Sequence, residues 1–176
     1  MVYQNPKILY RGKRVDLLSI EVTTSDGKVH QKEVVSHPGA VVILPFLDTD
    51  TILLIKNDRY VVQKTLLELP AGTLEKGEKP ELCAVRELEE ETGYRANKIT
   101  FLFEIFSTPG FCNEKLFIYR ADGLVQTEQS LDETETITVV PMKFSEAVKN
   151  IEHGIIEDAK TICALLYSYV FTNSKS

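Results

Sequence analysis

Between Gly72 and Gly93 the sequence reads GTLEKGEKPELCAVRELEEETG, and its last turns crowd Arg86, Glu87, Glu89, Glu90 and Glu91 together. Carboxylates are favoured near a helix N-terminus and disfavoured near the C-terminus, where backbone carbonyls already present partial negative charge. Like charges three or four residues apart also repel. Glu87, Glu90 and Glu91 break both rules just before Gly93, a natural stop in the left-handed conformation. A solvated acidic face is one reading of such a run. The other is a set of hard oxygen ligands for a divalent cation, with Mg²⁺ first and Mn²⁺ second. The end-of-helix placement favours the cation, which would supply positive charge from outside the helix.

The element that must position these groups is a helix from Pro80, suited to the first helical position, to Thr92. At about 100° per residue, Leu82, Val85 and Leu88 fall on one side as the expected core stripe. Glu87, Glu90 and Glu91 share an arc of about 100° on the opposite side. Glu89 points between the two faces and is expected to be solvated.

Around this helix the chain reads as strands and two further helices. Residues 8–35 form an expected antiparallel meander with a hairpin turn at Ser25-Asp26-Gly27. Its polar faces require another surface, either the main body or a second subunit. AVVILPF reads as a buried strand, followed by ILLIKND, a strand at Leu66 to Leu69, ITFLFEIF, KLFIYRADGL and ITVVPMKF. FSEAVKNIEHG is an expected short helix closed by Gly154. DAKTICALLYSYVF is a longer one with Ile162, Leu165, Leu166, Tyr169 and Val170 at core spacing; the last five or six residues are expected to fray. The fold expected is α/β, a mixed sheet covered by helices behind a small β appendage. The division is residues 1–38 for the appendage and 39–176 for the main domain.

The composition bounds the partners. The 176 residues are 43% hydrophobic and 26% charged, with a net charge of −6, which argues against a nucleic-acid binder. An anionic substrate remains compatible, because bound metal can reverse the local sign. No apolar run is long enough to span a bilayer. Cys83, Cys112 and Cys163 are widely spaced without a CxxC pair, so neither a disulfide framework nor a zinc site is expected, and a cytoplasmic setting is. Cys163 is expected to be a small buried hydrophobe.

Gly72, Glu78, Arg86, Glu87, Leu88, Glu90, Glu91 and Gly93 resemble, position by position, the signature of the Nudix hydrolases; only the aromatic Tyr94 departs from the usual aliphatic. The resemblance implies a Nudix-type α/β/α sandwich and hydrolysis of a nucleoside diphosphate linked to another group. It implies metal binding by Glu87, Glu90 and Glu91 with the Ala71 carbonyl, and a structural role for Arg86 and Glu78. It also implies Mg²⁺ that neutralises the pyrophosphate and activates water.

The flanks point to a group within the family. Pro109 in STPGFCNE, the NDRYVVQKTLLELPAG approach, LDETETI and the Gly-x-Ile-x-Asp-x-Lys-Thr stretch resemble ADP-ribose pyrophosphatases. That resemblance implies phosphate contact by Arg59, ribose contact by Glu114 and a catalytic base on the acidic loop, Glu133 before Glu135. Glu135 would be a possible additional metal ligand, and the two roles are exchangeable. Asn57-Asp58 departs from the glutamine-plus-aromatic pair usual before that arginine. The absence of tryptophan leaves Tyr, Phe or Arg to stack the base. The appendage is expected to make a homodimer whose chains share the pocket. The alternatives are a hydrolase of another nucleoside diphosphate sugar such as GDP-mannose, and a non-catalytic nucleotide-sugar sensor. An mRNA-processing enzyme is disfavoured by the acidic charge balance.

Overall fold

The computed structural model describes residues 4–171. The appendage is the antiparallel sheet of β1 (Gln4–Arg11), β2 (Asp16–Thr23) and β3 (Val29–Ser36), in that order. Beyond it lie β4 (Ala40–Pro45), β5 (Thr51–Arg59), β6 (Lys64–Glu68), β7 (Ala71–Thr73) and α1 (Pro80–Thr92). They are followed by β8 (Tyr94–Phe106), β9 (Lys115–Gln126), β10 (Ile137–Lys143), α2 (Phe144–Glu152) and α3 (Ala159–Phe171). Two sheets form the body, β7-β4-β9-β8 and β10-β5-β6. Only β4 and β9 pair in parallel within the first; its other pairings are antiparallel.

β4 explains the layering. Val41 to Leu44 have no exposed surface, as expected of a strand covered on both faces. Val41 and Ile43 face Cys83, Ala84 and Leu88 of α1. Ala40, Val42 and Leu44 face a second core shared with Phe144, Ala147, Ala164 and Leu165 of α2 and α3. The result is the expected α/β/α sandwich with a mixed sheet and a small β appendage. Among the described residues no helix is long and apolar enough to cross a membrane.

The helix faces differ from their sequence reading. Leu82 is 60% exposed, whereas Cys83, Ala84, Leu88 and Glu91 are buried. The hydrophobicity wheel misplaces this face because small residues let α1 lie close to β4 and β7, and the bulky Leu82 cannot enter. Two of the carboxylates therefore turn inward rather than opposite the core. In α3 the buried stripe is Thr161, Ala164, Leu165 and Ser168, and Leu166, Tyr169 and Val170 are exposed. Thr161 is drawn inward because its hydroxyl accepts the Leu69 N–H (2.8 Å). Cys163, expected inside, is exposed. Residues 71–73 add a further short strand, paired with β4. The expected fraying falls on residues 172–176, outside those described.

The appendage touches the body at the loop between β8 and β9. Val35 N–H donates to the Phe111 carbonyl (2.8 Å) and Asn113 N–H to the Val35 carbonyl (3.2 Å). Ile20 is its one buried apolar side chain among the described residues, while Ile8, Leu9, Tyr10 and Val29 stay exposed.

Candidate active site

Arg86 organises the acidic end of α1. Its Nε and Nη2 each donate to Glu78 at 3.0 Å, and its Nη1 donates to Glu87 (2.7 Å) and Glu90 (2.9 Å). The Arg86 fork holds the Glu78 carboxyl down at about 2, as expected of a bidentate charge-assisted pair. Glu89, expected to be solvated, pairs instead with Arg95 (2.9 Å). So part of the positive charge demanded by this helix comes from within the chain. Glu91 is the exception.

Glu91 is only 3% exposed, and its Oε2 accepts the Ala71 N–H (2.9 Å). Burial raises its pKa to about 8, with Glu87 and Glu135 adding repulsion that the Ala71 bond only partly offsets. Glu87 is also raised, chiefly by burial and against the pull of Arg86. Its carboxylate lies directly over Gly72, where any Cβ would overlap it. Glycine at 72 is therefore a requirement of this carboxylate's position. Gly93 ends the helix with φ 70°, in the left-handed region that favours glycine.

A hard divalent cation fits this donor set: buried carboxylate oxygens of high proton affinity beside a strand backbone stripped of side chain at Gly72. In the present conformation no three acidic, histidine or cysteine side chains among the described residues converge to enclose an ion. Arg86 Nη1 lies between Glu87 and Glu90 and donates to both.

These groups line one wall of a cleft of about 1380 Å³, larger than the roughly 300–1000 Å³ of ordinary small-molecule pockets. Arg59 lines the same cleft. It is not free, because Nε (2.8 Å) and Nη2 (2.7 Å) grip Glu68. Glu68 is 1% exposed; burial alone would raise its pKa, but Arg59 and Lys160 outweigh it and hold the carboxyl low. Lys160 also meets Asp158 (2.9 Å), at the start of α3. In the sequence Asp158 and Lys160 lie in the Gly-x-Ile-x-Asp-x-Lys-Thr stretch with no role of their own, and the one signal of Glu68 is a glutamate inside LLELP.

Glu114 lines the cleft 3.6 Å from Nε2 of His37, which lines it too. Pro109 is exposed and lies outside the cleft lining, where Ser107 and Thr108 take its place. Of the acidic-loop pair, Glu135 lines the cleft and Glu133 does not. The resemblance put Glu133 first as base with the two roles exchangeable, and Glu135 is the one of the pair that lines the cleft. Glu135 is close enough to raise the proton affinities of both Glu87 and Glu91.

A three-layered sandwich with this glutamate helix set against a glycine strand defines a Nudix domain, and residues 36–165 match the NUDIX domain. The chain belongs to the Nudix family. It is 40% identical over 161 residues to the ADP-ribose pyrophosphatase of Bacillus subtilis (strain 168), covering 90% of this chain and 87% of that protein. It is 34% identical over 160 residues to the GDP-mannose pyrophosphatase of Cronobacter sakazakii (strain ATCC BAA-894), covering 84% and 83%. A crystal structure of an ADP compounds hydrolase superposes with a TM-score of 0.86 at 24% identity, over 99% of this chain and 95% of that one. That likeness concerns the fold.

Proposed function

We propose that this protein hydrolyses the pyrophosphate of a nucleoside diphosphate sugar, ADP-ribose in the first place, to AMP and ribose 5-phosphate. The observation carrying this reading is the convergence of Glu87, Glu90, Glu91, Glu135 and Arg59 on one cleft. The similarity to an ADP-ribose pyrophosphatase supports the substrate.

Glu87, Glu90 and Glu91, with the Ala71 carbonyl, would hold Mg²⁺, or Mn²⁺ in its place. When bound, such an ion neutralises phosphate charge and makes water more acidic. Glu135 takes the proton of the attacking water as its oxygen bonds to phosphorus and the bridging P–O bond breaks. Arg59, held by Glu68, presents its remaining nitrogen to the diphosphate. A preset planar fork loses little freedom on binding. The Glu114 carboxylate accepts hydrogen bonds from ribose hydroxyls. Arg86 and Glu78 keep α1 and its approach loop together.

Product analysis on ADP-ribose, ADP-sugars, GDP-mannose, NADH and dinucleoside polyphosphates tests the reading. With Mg²⁺, ADP-ribose is expected to give the highest kcat/KM, and excess EDTA is expected to abolish turnover. A preference for GDP-mannose, the substrate in the name of another relative, would replace the substrate assignment. No turnover of any of them would leave a nucleotide-sugar sensor.

We further propose that residues 1–38 are a dimerisation arm and that two chains complete the pocket. The uncovered Ile8, Leu9 and Tyr10 support this, as does the presence of Gly12 to Asp16 along the cleft. Light scattering at micromolar concentration is expected to give a dimer; a fully active monomer would sink the idea.

A further inference from the structure

A helix leaves its last four carbonyls without intrahelical partners, and at the end of α1 two of them, Glu90 and Glu91, are tied together with the carbonyl of Gly93 to one short segment. Thr127 N–H donates to the Gly93 carbonyl (2.7 Å) and Ser130 N–H to the Glu90 carbonyl (3.0 Å). Between them the Gln129 side chain donates through Nε2 to the Glu91 carbonyl (2.6 Å). The contact is close: a Cβ at Gly93 would stand 3.0 Å from Gln129 N and 3.4 Å from the Thr127 carbonyl oxygen. Glycine at 93 thus answers two demands, its positive φ and the approach of this strap.

The strap leads straight to the acidic loop. After Ser130 only Leu131 precedes a turn that closes on itself. Glu135 N–H donates to the Asp132 carbonyl (2.9 Å), and Asp132 N–H donates to Glu135 Oε2 (3.2 Å). A self-closed turn one residue beyond a fixed point has little freedom of its own, so the fixed point sets where Glu135 stands. We infer that Gln129 is a positioning residue: it ties residues 127–130 across the end of α1 and thereby places Glu135 against the carboxylates of the same helix. This rests on the reading of Glu135 as base.

The test uses the full chain with Gln129→Met, which keeps the side-chain volume and removes the donor. In metal-free protein, amide hydrogen exchange over 127–136 is expected to quicken about tenfold, the scale of one lost hydrogen bond. With substrate, kcat is expected to fall about tenfold, while KM and Mn²⁺ affinity stay within about twofold. The double variant Gln129→Met/Glu135→Gln is expected to lose no more than Glu135→Gln alone, since both changes act on one group. Unchanged exchange overturns the strap. Faster exchange with unchanged kcat, equal losses of kcat and Mn²⁺ affinity, or additive losses in the double variant overturn the positioning role. Full activity in Glu135→Gln alone would instead overturn the base assignment, with the exchange result still deciding whether Gln129 holds the segment.

Discussion

Glu91→Gln is expected to raise the Tm of the metal-free protein at pH 8 while lowering kcat with Mg²⁺ by about 10³-fold. The two effects share one cause. Glu91 is buried, the attraction of Arg59 offsets that burial only in part, and its pKa lies near 8 rather than at the ordinary 4.5. Between those values the native state holds more proton than the unfolded chain, so stability is full at low pH and falls as pH rises towards 8. For a chain of this size the fall in Tm between pH 6 and pH 8 is expected to be on the order of 5 °C. Saturating Mg²⁺ should abolish it, because the ion takes the place of the proton. Glutamine keeps the shape and an acceptor for the Ala71 N–H but has no charge to bury. It therefore removes the pH dependence and the ligand together. A variant that loses Tm at pH 8, or that keeps full activity, would refute the assignment of Glu91 as a buried ligand. Glu87→Gln should match the loss of activity, with a smaller gain in Tm, because Arg86 already partners that carboxylate.

The chemistry of this helix was legible because it is written in residue types at fixed spacing. Which way the helix faced was not. A wheel weighs hydrophobicity, so Leu82 and Val85 claimed the core; packing against β4 weighed size, and Cys83 and Ala84 took it. The same exchange occurred in α3, where Thr161 and Ser168 displaced Tyr169 and Val170. Most strands, the helices and the appendage followed from periodicity and turns, which are local, whereas the α/β/α layering came from the family resemblance. The second cation on Glu68, the partner of Arg59, was illegible for the opposite reason. Glu68 is satisfied from β5 and also by Lys160, 92 residues away, and no local pattern records such a pairing. Within the acidic loop, an offset of two residues without periodicity could not rank Glu133 against Glu135. Only Glu135 lines the cleft, and the proposed mechanism ranks it first as base.

That ranking carries the second large effect. Glu135→Gln is expected to lower kcat by about 10² to 10⁴-fold, the range for loss of a general base. Mn²⁺ affinity and the KM for ADP-ribose should change little. Glu133→Gln is expected to stay within about threefold of the parent, since its side chain lies off the cleft. The contrast with Glu91→Gln separates the roles: a lost ligand is partly compensated by raising the metal concentration, whereas a lost base is not. It also separates a base from mere electrostatics. Glu135 stands close enough to repel Glu87 and Glu91, so neutralising it should, if anything, ease the burial of their charge and raise Tm above pH 7. A carboxylate kept against that repulsion, on a loop fixed to the end of the ligand-bearing helix, needs a function that offsets its cost. Proton transfer from the attacking water is one.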